Sequence, residues 1–135
     1  MADKQAIAEI LGRLGWAYDS GNLDYIEAVY VKDGRFTVSI AGMGQVGDYR
    51  GTEKIMELYR GAKATQTDQR RHIVSNIFFA EDSAGSATAV SCLTLIATKD
   101  GATKILSAGV YTDKFVLLNG AWRLQHRDLA LDAPY

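Results

Sequence analysis

The sequence predicts an α+β domain, with helices packed on a bent antiparallel sheet that leaves a hollow between them. Three observations predict it. Apolar residues recur at helical spacing in the first part of the chain. From Arg70 onward the spacing changes to long alternating runs. Tight-turn pairs such as Asp100-Gly101 and Asn119-Gly120 join those runs. Helices first and long hairpin strands after is the α+β order, and strands of such length must bend to close a core.

Asp3 caps a first helix running to about Asp19, with Ile7, Ile10, Leu11, Leu14 and Tyr18 on one face. Gly21-Asn22 breaks it. Leu23, Ile26 and Val29 or Tyr30 mark a second, short helix. Asp33-Gly34 turns the chain into a strand from Arg35 to Ile40. Glycines 42, 44 and 47 mark a loop, followed by a short strand near Val46 to Arg50. Thr52 caps a third helix, Glu53 suits its dipole, and Ile55, Leu58 and Tyr59 form its apolar stripe. Four strands follow: Arg71–Ala80, Ala87–Thr98, Lys104–Leu118 and Trp122–Leu131.

The chain has 135 residues, the size of one domain, and no Pro-, Ser- or Gly-rich linker interrupts it. Hydrophobic residues make up 47% and charged residues 23%, enough for one core with an internal cavity. A net charge of −1 argues against a nucleic acid or an anionic membrane as partner. No apolar run reaches membrane-spanning length and the N-terminus lacks an apolar signal segment, so the expected compartment is the cytoplasm. The lone Cys92 sits in an apolar run and reads as a buried small hydrophobe. Two distant histidines without Cys or Glu at ligand spacing make no metal site. Gly42-Met43-Gly44 lacks the strand–turn–helix context of a phosphate loop. No metal and no cofactor are expected.

Histidine is the natural general base near neutral pH. His72 opens a strand, and Val74 and Asn76 would share its face, mixing polar and apolar groups as binding pockets do. Asp19 ends the first helix beside Tyr18, where the helix dipole disfavours a carboxylate and a partner would explain it. Asp-Ser-Gly-Asn is also ordinary turn chemistry that needs no function. His126 and Arg127 lie on opposite faces of the last strand, so only one of them can look into a pocket. Trp16, Tyr59, Tyr111 and Trp122 read as core or pocket wall, and Arg70-Arg71 as a solvated strand end or an anion contact.

Several segments, taken in order, resemble the SnoaL-like branch of the nuclear transport factor 2 superfamily. They are Ala6-Ile7-Ala8-Glu9-Ile10, Tyr18-Asp19, Asp33-Gly34-Arg35-Phe36, Arg71-His72-Ile73-Val74-Ser75-Asn76, Tyr111-Thr112-Asp113-Lys114-Phe115 and Gly120-Ala121-Trp122-Arg123-Leu124. The resemblance implies a cone-shaped fold, with three helices packed in a strongly curved mixed or antiparallel sheet around an internal pocket. Within that branch the chain looks most like the hexachlorocyclohexane dehydrochlorinase and scytalone dehydratase group. Its Asp–His dyad falls on Asp19 and His72, a last-strand arginine on Arg127, a pocket tryptophan on Phe36, and a tyrosine preceding the aspartate on Tyr18. The chain departs from the group at Leu14, where the dehydrochlorinase has lysine. It departs again at Val90-Ser91-Cys92, where the dehydratase's second histidine is absent, and near Val38, where its second tyrosine is absent.

The resemblance implies a cofactor-independent lyase or isomerase, with His72, Asp19, Tyr18 and Arg127 as catalytic residues. Phe36, Val74, Asn76 and Trp16 would bind a small, largely apolar, cyclic substrate. The competing expectation is a ligand-binding protein, or a structural subunit like the β subunit of ring-hydroxylating dioxygenases, of which Arg71-His72 and Asn76 are also reminiscent. Either reading expects self-association as a homodimer or homotrimer, because the strand Val110–Leu118 offers Val116, Leu117 and Leu118 to an outer face.

Overall fold

The computed structural model describes residues 1–135. The chain order is α1 (Lys4–Ser20), α2 (Leu23–Val29), β1 (Tyr30–Ile40), β2 (Gly44–Arg50), α3 (Thr52–Thr65), β3 (Gln69–Asp82), β4 (Ser86–Lys99), β5 (Ala102–Leu118) and β6 (Ala121–Leu131). The strands form one curled six-stranded sheet in the order β2-β1-β6-β5-β4-β3. The β1–β6 pair is parallel and every other pair antiparallel, so the sheet is mixed.

Local chemistry sets the helix ends. Asp3 caps α1 by accepting the Ala6 N–H at 3.0 Å. Gly21 stops it in the left-handed conformation, φ 80°, donating to the Ala17 and Tyr18 carbonyls. Thr52 does not cap α3. Gly51, at φ 87°, holds the cap position, and Thr52 Oγ1 donates to the Val31 carbonyl at 2.7 Å. Asp33-Gly34 does not turn the chain either. β1 runs through both residues, and its pairing with β6 is irregular between Tyr30 and Arg35.

Alternation along β4 sends Ala87, Ala89, Ser91, Leu93, Leu95 and Ala97 inward against the helices. Cys92 therefore points outward and is exposed, against the buried position expected from its apolar neighbours. Ile7, Leu11, Ile26, Ile55, Met56, Phe115 and Leu124 are almost wholly buried in a core shared by all three helices and the inner face of the sheet. No helix is long and apolar enough to cross a membrane.

Candidate active site

Helix α1 lies across β3 so that its last turn meets the start of that strand. Gly15 makes the approach possible, because it has no side chain to hold the helix away from the His72 backbone. One turn on, Asp19 turns inward. Its Oδ2 accepts the His72 backbone N–H at 2.8 Å, and its Oδ1 lies 2.6 Å from His72 Nδ1. Both side chains are almost completely buried, 5% exposed for Asp19 and 8% for His72. Lys63 of α3 donates to the Asp19 carbonyl at 2.9 Å and ties the helix end down.

An ionised carboxylate only accepts, so Nδ1 of the neutral imidazole carries the ring proton and Nε2 the lone pair. Nε2 makes no hydrogen bond within the protein, and the ring forms part of a cavity wall. Tyr18 stacks on His72 with ring centroids 4.9 Å apart, and meets Tyr59 edge-on at the same separation. Burial, then the nearby Tyr59, raises the Tyr18 pKa and keeps the phenol protonated.

The cavity has a volume of about 220 Å³ and lies between α1, α3 and the inner face of the sheet. Fourteen of its eighteen lining residues are hydrophobic, which marks it for a largely apolar occupant. Phe36 and Val38 of β1 and Leu129 of β6 form one wall, and Leu58, Tyr59 and Ala62 of α3 another. Tyr49 of β2 and Tyr135, beyond β6, line its more open side.

Arg127 of β6 also lines the cavity, with its guanidinium 3.8 Å from the centre of the Tyr111 ring. Its Nε and Nη2 donate to Asp113 Oδ1 and Oδ2 at 2.8 and 2.9 Å, a buried bidentate pair. Burial works against the charge, but Asp113 first, together with Tyr111 and Tyr59, more than offsets it and holds the Arg127 pKa well above the ordinary arginine value. His126 points to the opposite face, where Nε2 lies 2.9 Å from Thr37 Oγ1.

The fold thus brings His72, Tyr18, Phe36 and Arg127 to one cavity, with Asp19 held against His72 outside the wall. It does not bring three other residues expected there. Trp16 is 70% exposed, two helical positions and so about 200° from Leu14 on the far face of α1. Asn76 is exposed on a bulge at φ 55°, where the β3–β4 register shifts and the alternation starting at His72 is lost. Val74 does keep the inner face but packs into the core, outside the cavity wall. Asp113 and Tyr135 were not anticipated. Parity with Tyr111 and Phe115 on β5 was the available signal for Asp113, and Tyr135 carried none.

A cavity enclosed between helices and a curled mixed sheet defines the nuclear transport factor 2-like class, also described as a cystatin-like fold. The SnoaL-like domain family matches residues 1–128, and the chain belongs to that family. No curated protein matches the sequence. Among solved structures, the β subunit of a putative aromatic-ring-hydroxylating dioxygenase from Novosphingobium aromaticivorans superposes with a TM-score of 0.85 at 20% identity, covering 98% of this chain and 90% of that one. ActVI-ORFA from Streptomyces coelicolor gives 0.80 at 18% identity, over 95% and 96% of the two chains. LinA gives 0.78 at 18% identity, over 98% and 88%.

Proposed function

We propose that this chain is a cofactor-independent lyase or isomerase, in which the Asp19–His72 dyad is the general base for a small, largely apolar, cyclic carbon acid. The observation that carries this reading is the 2.6 Å contact between His72 Nδ1 and Asp19 Oδ1, with Nε2 left unbonded at an apolar cavity. Nε2 takes a proton from a substrate carbon, and Asp19 stabilises the imidazolium that forms. In an elimination, the electron pair of the broken C–H bond becomes the new C=C bond. The C–O bond breaks, and the departing oxygen takes the Tyr18 phenol proton and leaves as water. The proton on His72 then restores Tyr18. In an isomerisation the same pair passes into an enolate, which is reprotonated elsewhere. Arg127 faces the negative charge that builds up on oxygen in either case.

Turnover by purified protein of a panel of neutral cyclic β-hydroxy ketones and halogenated rings tests the reading. His72→Ala should lower the rate by roughly a hundred- to ten-thousand-fold. Turnover that survives the substitution sinks the proposal.

A second reading is a non-catalytic binding protein or structural subunit, favoured by the likeness to a chain described as a dioxygenase β subunit. Association state separates the two. The enzyme reading expects a self-sufficient homodimer or homotrimer in the cytoplasm, supported by the apolar groups Ile73, Phe78 and Val110 exposed on the outer face of the sheet. The subunit reading expects a chain that is stable only beside a larger partner.

A further inference from the structure

Arg127 is the only cationic side chain in the cavity wall, and it is already matched. Asp113, fully buried behind it, takes both Nε and Nη2. Arg70, whose guanidinium lies 5.4 Å from the centre of the Tyr135 ring, is likewise answered, by Asp68 at 3.0 Å. Asp19 adds a further carboxylate beside His72. An anion entering this cavity would have to share or break the Arg127–Asp113 pair while approaching Asp19, and no unmatched cation would repay its lost hydration. A neutral oxygen asks far less, because one N–H donor satisfies it. The remaining polar residues of the wall include Tyr18, Tyr49 and Tyr111, a chemistry that suits a neutral oxygenated ring.

We infer that Asp113 is a positioning residue that sets the charge selectivity of the site. By holding Arg127 in a bidentate pair, it makes the cavity accept a neutral cyclic molecule bearing a carbonyl or hydroxyl oxygen and reject a carboxylate of the same size. This deepens the functional reading above, and it concerns binding, which is measured apart from turnover.

The test is calorimetric binding of two size-matched bicyclic probes, 1-acetonaphthone (neutral ketone) and 1-naphthoate (carboxylate), to the full chain. Wild type should bind the ketone at least tenfold more tightly. Asp113→Asn frees the guanidinium, so its ratio should move toward naphthoate by tenfold or more. The double variant Asp113→Asn/Arg127→Gln should lose that gain while still binding the ketone more weakly than wild type. Circular dichroism establishes that each variant is folded. If Asp113→Asn does not fold, Asp113→Ser, which also frees the guanidinium, takes its place with the same expected shift, and an unchanged ratio there overturns the inference.

Wild type that binds naphthoate as tightly as the ketone, or binds neither, overturns the inference. So does a folded Asp113→Asn protein with an unchanged ratio. Loss of His72-dependent turnover with the ratio intact would remove the enzymatic reading and leave charge selectivity standing.

Discussion

Gly15 faces the His72 backbone across a gap too narrow for a side chain. A Cβ built on Gly15 would stand 3.0 Å from the His72 carbonyl oxygen and 3.4 Å from the His72 Cβ. The obstacle is strand backbone, which cannot swing aside as a side chain can. The carboxylate one helical turn further on must reach His72 Nδ1 at 2.6 Å, so this glycine controls the dyad without touching any ligand.

Gly15→Ala should therefore push α1 away from β3 by a few tenths of an ångström. The helix gains intrinsic propensity but the packing is strained, for a net loss of about 1–3 kcal/mol. Thermal unfolding checks the stability. Any turnover should fall by a larger factor than the small backbone shift suggests, because the base loses its alignment.

Asp19→Asn removes the acceptor that fixes the His72 tautomer. The amide can still accept the His72 N–H, so the fold should survive with a loss of about 1–3 kcal/mol. Turnover should drop about ten-thousand-fold, because the imidazole is no longer held with its lone pair on Nε2. Equal loss in Asp19→Asn and Asp19→Ala would support the tautomer role. A fully active Asp19→Asn protein would exclude it.

Tyr18→Phe keeps the ring stacked on His72 and removes only the hydroxyl. Melting temperature should be nearly unchanged, whereas an elimination rate should fall about a hundredfold. In the wild type, burial raises the Tyr18 pKa. The alkaline limb of the rate profile that reports this phenol should therefore lie above the ordinary tyrosine range.

On the outer face, burial first and then Arg35 lower the pKa of His126, with Asp128 opposing. The sign follows directly. Between the depressed native value and the ordinary 6.5, the unfolded chain binds more protons than the native one, so stability rises with pH across that window. It is lost as pH falls from 6.5 toward the native value. His126→Gln should flatten this segment of a denaturation-midpoint curve measured against pH. The other histidine is common to both proteins, so the difference between the curves isolates His126. A curve of unchanged slope would contradict the assignment.

Legibility of the site followed the distance over which its causes act. The helix containing Asp19 shows in the spacing of Ile7, Leu11, Leu14 and Tyr18, and its end in Gly21. Arg127 and His126 had to face opposite ways, and the placement of Arg127 on the cavity side agrees with the family position. Trp16 was readable too, since helical geometry alone sets it away from Leu14. Asn76 was not. A one-residue change of register flips every later side chain, and the bulge that does this answers to β4, not to the local sequence.

Taken alone, the sequence determined the element order and the α+β class, because periodicity and turn chemistry are written along the chain; it left Asp19 open as a turn residue, and only the family resemblance paired it with His72. Tertiary structure alone decided that Asp113 closes on Arg127, that Tyr49, Leu58 and Tyr135 meet at one cavity, and that Cys92 faces out. The physical reason is that these relations depend on strand register, sheet curl and helix docking. Each sums small local geometries over many residues, and a single bulge or glycine contact redirects the sum.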